Sequence, residues 1–216
     1  QMGGEIAQVC ALKGFDVAVL DISEDALAKG RERLEKAMNR DVEKGRTAAE
    51  DRDDAFARMS WSTEYAIMGD RDMVIEAATE DEEIKKAILR ELCTVVPEHT
   101  LIASNTSSIS ITRLAAQTDR PGQFCGMHFM NPVPMMKLVE LIRGLATDDH
   151  TFTQVQELTK KLGKTGTVSE DFPAFIVNRI LLPMINEAVY TLYEGVGNVD
   201  SIDKSMKLGA NHPMGP

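Results

Sequence analysis

The 216-residue chain is short of cysteine, of basic charge and of long apolar runs, and each shortage excludes something. Its three cysteines, Cys10, Cys93 and Cys125, are far apart and lie in apolar contexts. An odd number of scattered thiols is no disulfide framework and fits a reducing compartment, so a cytoplasmic location is expected. None is part of a Cys and His cluster of the size a metal needs, and no metal is expected. Basic residues are outnumbered, 24 Lys and Arg against 34 Asp and Glu, for a net charge of -10. Nucleic acid is therefore not expected as a partner, because phosphate backbones are bound through Lys and Arg. No apolar run reaches the ~18 residues that read as a membrane span, so no membrane partner is expected either. The opening residues carry no secretory pattern. Gln1, Met2, Gly3 and Gly4 enter a helix with no strand before it, and His212, Pro213 and Met214 stop without a terminal element, so both ends read as cut.

What is present is an ordinary globular composition, 43% hydrophobic and 27% charged, in which short apolar runs alternate with helical periodicity. Residues 4–13 read as a helix closed by Gly14, and residues 16–20 as a buried strand ending in Asp21. Ser23 is placed to cap a long polar helix to about Lys44, and a second helix is expected over residues 48–59. Further strands are expected at residues 73–78, 101–104, 124–128, 138–142 and 165–168, with helices over 82–96 and 151–162. That alternation predicts an α/β fold: a Rossmann-like parallel sheet with helices on both faces. After Asp171 the character changes. Residues 174–194 form a long apolar helix and residues 201–207 a shorter one, the start of an all-helical domain. The expected domains are 1–170 and 171–216.

In such sheets ligands bind outside the carboxyl ends of the strands, and Asp21, Glu80, Ser107 and His128 are all expected just past strand ends. Gly3 is the remaining candidate for a dinucleotide glycine loop, and Asp21, at the end of the next strand, suits the ribose hydroxyls of NAD and would repel the 2′-phosphate of NADP. His128 read alone is more often structural than catalytic. Glu140 changes those odds: it lies in the apolar run Leu138, Val139, Glu140, Leu141, Ile142, and a carboxylate there is expensive to bury unless paired. Two neighbouring strands joined through Asn131, Pro132, Val133 and Pro134 would bring the two together as a base and its orienting acid. The run Ser104, Asn105, Thr106, Ser107, Ser108 reads either as a turn or as a ligand loop past a buried strand. Asn178, early in the long apolar helix, is a candidate for facing the cleft. Lys36, Arg40 and Lys44, four apart, share a helix face that is either merely solvated or a landing site for an anion such as a CoA phosphate.

Taken together, the stretches Ile102 to Ser108, Gly126 to Pro134, Lys137 to Glu140 and Phe175 to Arg179 resemble the L-3-hydroxyacyl-CoA dehydrogenase family, closest to its short-chain branch. The resemblance implies NAD as cofactor and an acyl-CoA substrate. It implies His128 as base, Glu140 as its partner, Ser107 holding the substrate oxygen and Asn178 completing the site. By the same resemblance Gly3, Asp21, Glu80, Lys85, Ser107 and Asn131 line the NAD site, Lys44 contacts CoA, and the helical domain forms a homodimer. One departure is Ala174, where the family usually carries Gly. Two alternatives stand beside this: a relative acting on a free sugar acid, of the gulonate type, and a nucleotide-binding relative without turnover.

Overall fold

In the computed structural model, which describes residues 2–216, the chain divides after Phe172 into two units. The first opens with helix α1 (Met2–Leu12), stopped by Gly14, whose φ of 85° is a left-handed turn that side-chain-bearing residues disfavour. Strand β1 (Val17–Leu20) follows, then α2 (Glu24–Glu43), whose first turn is capped by Ser23 through the Ala26 N–H. Helix α3 (Ala49–Ala57) leads into β2 (Met59–Ser62), which pairs parallel to β1. The expected helix over 48–59 is thus cut short. Met59, Ser60, Trp61 and Ser62 alternate too briefly to stand out as a strand from the pattern alone.

A second sheet carries β3 (Met73–Glu76), β4 (Leu101–Ser104), β5 (Phe124–Phe129), β6 (Leu138–Arg143) and β7 (Thr165–Glu170), in that spatial order. Between them run α4 (Glu82–Cys93), the short α5 (Ile111–Ala115) and α6 (Asp149–Lys161). Helix α5 and the 3-10 turns at Tyr65–Met68 and Pro121–Gln123 carry too few residues for a periodic signal. One strand departs from the parallel expectation: β6 runs antiparallel to β5, while β3–β4, β4–β5 and β6–β7 are parallel. The short connection over residues 130–137 is the cause, since a parallel return needs a crossover of a dozen residues or more.

The main core joins Ile6 and Val9 of α1, Ala103 of β4, Cys125, Met127 and Phe129 of β5, Val139 and Leu141 of β6, and Phe152 and Val155 of α6. A second cluster sets Ala11 of α1 against Leu34 and Met38 of α2 and Ala55 of α3. Gly126 is required where β5 passes β6: a Cβ there would stand 2.8 Å from that of Ile142, its partner in register. The three cysteines are free thiols, and burial pushes Cys10 and Cys125 up to about 12, which makes them inert.

The second unit holds α7 (Val177–Tyr193) and α8 (Val199–Gly209). Helix α7 begins three residues later than its apolar pattern, because Ala174 and Phe175 take φ of 66° and 52°, outside helical space. The alanine thus occupies a backbone conformation that glycine would hold without strain.

Candidate active site

The antiparallel turn of β6 sets the first constellation. In the β5–β6 register His128 lies directly opposite Glu140, and side chains so placed on one face meet across the strands. His128 Nδ1 is 2.8 Å from Glu140 Oε2, with the carboxylate fully buried and the imidazole nearly so. A carboxylate only accepts, so Nδ1 carries the proton and donates it to Glu140, which leaves the lone pair of the neutral ring on Nε2. His128 is the penultimate residue of its strand rather than just past it. Val133 N–H donates to Glu5 Oε2 at 2.8 Å, and the Lys164 ammonium donates to the carbonyls of Val133 and Met136. The loop between the two strands is thereby held from α1 on one side and from the start of β7 on the other. Exposed Asn131 stands at its head.

The second constellation lies past β3 and β4. Glu80 accepts from Ser107 N–H at 2.9 Å, Ser107 Oγ at 3.3 Å, Ser108 N–H at 3.1 Å, Ser108 Oγ at 3.0 Å and Thr106 Oγ1. One carboxylate thus gathers the whole serine turn. Partial burial pushes its pKa up, but the hydrogen bonds from Thr106, Ser107 and Ser108 and the charge of Lys85 outweigh that and hold it below the usual carboxylate range. Lys85, in the first turn of α4, is not turned toward solvent. Its side chain is 1% exposed and its ammonium donates to Glu76 Oε1 and Oε2 at 2.8 and 3.0 Å, with Glu80 Oε2 at 3.8 Å.

Asn105 joins the two constellations. Its Oδ1 accepts from the N–H of Phe129, the residue after His128, at 2.8 Å, and its own N–H donates to the Glu76 carbonyl. Ser104 and Asn105 lie within the run that reads as a turn or a ligand loop, whereas Glu76 is an addition of the structure to the site. Glu76 had a signal, a carboxylate ending the apolar run Met73, Val74, Ile75, the same feature that marked Glu140.

Asp21 follows β1 with its side chain exposed, and its Oδ1 accepts from Ile22 N–H at 2.7 Å. A Cβ on Gly4 would meet nothing within 4 Å, while one on Gly3 would make ordinary contact with Ala77. An acid at the tip of the strand that follows the helix fits the ribose of a dinucleotide. Lys44 is exposed at the C-cap of α2. One and two turns back on that helix, Arg40 and Lys36 line a shallow hollow with Asn39 and Glu43. Lys36 is paired with Glu32. Asn178, half-buried in the first turn of α7, belongs to the other unit.

Residues 1–172 match the family described as "3-hydroxyacyl-CoA dehydrogenase, NAD binding domain", and residues 175–216 its C-terminal domain. The chain belongs to the 3-hydroxyacyl-CoA dehydrogenase family. It is an NAD-dependent oxidoreductase of that family. A 3-hydroxybutyryl-CoA dehydrogenase of Bradyrhizobium diazoefficiens is 58% identical over all of this chain and 74% of its own length. The mitochondrial hydroxyacyl-coenzyme A dehydrogenase of Mus musculus is 42% identical over all of this chain and 70% of its own. The crystal structure of (S)-3-hydroxybutyryl-CoA dehydrogenase from Ralstonia eutropha superposes with a TM-score of 0.97 at 50% identity, covering 100% of this chain and 76% of that one.

Proposed function

We propose that this 3-hydroxyacyl-CoA dehydrogenase works on short acyl chains, 3-hydroxybutyryl-CoA first among them, interconverting the L-3-hydroxyacyl and 3-oxoacyl esters. The observation that carries the reading is the buried His128–Glu140 pair, in a chain this close to relatives named for that substrate. His128 takes the proton of the 3-hydroxyl onto Nε2. Its Nδ1–H bond to Glu140 fixes the ring, and the carboxylate stabilises the imidazolium that forms. Ser107 holds the substrate oxygen, and the family resemblance adds Asn178 of α7 as a further residue for the substrate. NAD, when bound, would supply the acceptor for the hydride that leaves the carbinol carbon with its electron pair. Gly3, Asp21, Glu80, Ser107 and Asn131 are the residues that would hold it, and Lys85, which the family resemblance places with them, supports Glu80 from the buried side. Lys44 meets the CoA phosphates.

The apolar side chains of α7 and α8 bear on assembly. Ile180, Leu182, Val189, Tyr193 and Leu208 are all more than half exposed within this chain, an apolar surface for more helical chain or a second subunit to cover, and a homodimer is the assembly proposed. Three unpaired thiols support a cytoplasmic site of action. Among the described residues no helix is long and apolar enough to cross a membrane.

The test is NADH formation from 3-hydroxybutyryl-CoA beside free 3-hydroxybutyrate. The ester should be oxidised far better. Equal efficiency on the free acid would overturn the acyl-CoA reading in favour of a sugar-acid or hydroxy-acid dehydrogenase.

A further inference from the structure

We propose that Glu76 is a positioning residue for the serine turn, acting through Ser104 on one side and through Lys85 and Glu80 on the other; the proposal rests on the reading of Ser107 as the group that holds the substrate oxygen. Glu76 ends β3 and is paired in register with Ser104, which ends β4. Its carboxylate is almost fully buried and accepts four hydrogen bonds from three donors: Lys85 Nζ to both oxygens, Ser104 Oγ at 2.6 Å and Ala78 N–H at 2.6 Å. Ser104 Oγ in turn accepts from Thr106 N–H at 3.3 Å. Lys85, held by Glu76, also donates to the Ala78 carbonyl at 3.3 Å and stands 3.8 Å from Glu80. Glu80 then gathers Thr106, Ser107 and Ser108. Both routes run from one buried carboxylate to the same turn, one along the sheet and one through the first turn of α4.

Stability alone gives no reason for this arrangement. Two buried charges lose their hydration, and an apolar pair of similar volume generally serves a core as well or better. What an apolar pair would not supply is direction: fixed hydrogen bonds that set where residues 104–108 stand. Displacement of a reacting group by about 1 Å costs on the order of a hundredfold in rate even when the altered residue never touches the substrate.

Glu76→Gln keeps the shape and removes the charge. The purified variant should lose about a hundredfold in kcat per folded molecule, and amide hydrogen exchange should accelerate over residues 104–110 while residues 138–143 stay protected. Ser104→Ala cuts one route and leaves the ion pair intact, so it should fold normally and lose about five- to tenfold in kcat with the same local exchange signature. A merely structural Glu76 predicts a lower melting temperature with unchanged kcat per folded molecule and no exchange change confined to the turn. That outcome in Glu76→Gln overturns the proposal. If Glu76→Gln does not fold, unchanged turnover and exchange in Ser104→Ala overturn it instead. Should the unaltered protein make no NADH from 3-hydroxybutyryl-CoA, the functional reading fails, and the exchange measurement still decides whether Glu76 positions the turn.

Discussion

Two sides of the nucleotide-binding unit are built on opposite principles. At the ends of β3 to β6 each ionised group already has its counterpart: Glu140 has His128, Glu76 has Lys85 and Ser104, Glu80 has the serine turn. On the side of β1 and α2, Asp21 and Lys44 are exposed, and the bond recorded for Asp21 is to the next residue in the chain. The first side is preorganised, with dipoles and charges in place before substrate arrives. That is where interactions bear on the chemical step. The second side offers charges whose partners come with the ligand. Such groups bear on binding. Substitutions should therefore divide into losses that reach the chemical step on the first side and losses of affinity alone on the second.

The largest effect is expected at the dyad. His128→Ala should lower kcat by at least ~10²–10⁴-fold, the usual range for a general base, while NAD affinity measured by fluorescence titration stays within a few fold. Glu140→Gln should follow closely, since it keeps the shape and loses the charge that supports the imidazolium. A His128→Ala enzyme of near-normal rate would place the base elsewhere and break the division.

Next comes Glu80→Gln, which weakens the carboxylate that gathers residues 106–108. A loss of about ten- to a hundredfold in kcat/KM is expected, and it has a pH counterpart. Because Glu80 titrates below its ordinary value in the folded state, its contribution to stability is fully present above the ordinary carboxylate range and is lost as pH falls through the lower folded value. Thermal unfolding followed down from pH 7 should show the unaltered protein losing stability below about pH 4.5, with Glu80→Gln flatter over that limb. Parallel curves would mean that the turn is held by something else.

Smaller effects belong to the binding side. Asp21→Ala should weaken NAD by about ten- to a hundredfold, leave kcat at saturation little changed, and narrow the preference for NAD over NADP. Equal use of both cofactors by the unaltered protein would remove Asp21 from the ribose. Smallest of all, Lys44→Glu should raise KM for the CoA ester by about three- to tenfold without moving the NAD affinity, in keeping with a solvated ion pair. A matching fall in kcat would blur the line between the two sides.

The candidate site was legible wherever its residues broke a pattern. Glu140 stood out as one charge in an apolar strand, and a short Pro-containing link made a pairing with His128 feasible. Asp21 stood out as an acid at a strand tip. Glu76 carried the same kind of signal, and Asn105 lay inside a run already noticed. The roles of both depend on the β3–β4 register and on the hook onto Phe129. Lys85 read as a cofactor contact from the family resemblance. Its burial on Glu76 depends on where α4 packs, which one-dimensional spacing does not encode.

Apolar periodicity, helix caps and strand-end acids lie along the chain itself, and so the α/β alternation, the helical second region and the chemistry of His128 with Glu140 could be read from neighbours in sequence. The hook from Asn105 to Phe129 and the web from Glu76 through Lys85 and Glu80 to Ser107 are decided between segments distant in sequence. Their energies come from desolvated charges and paired registers, which exist only once the strands and helices have packed.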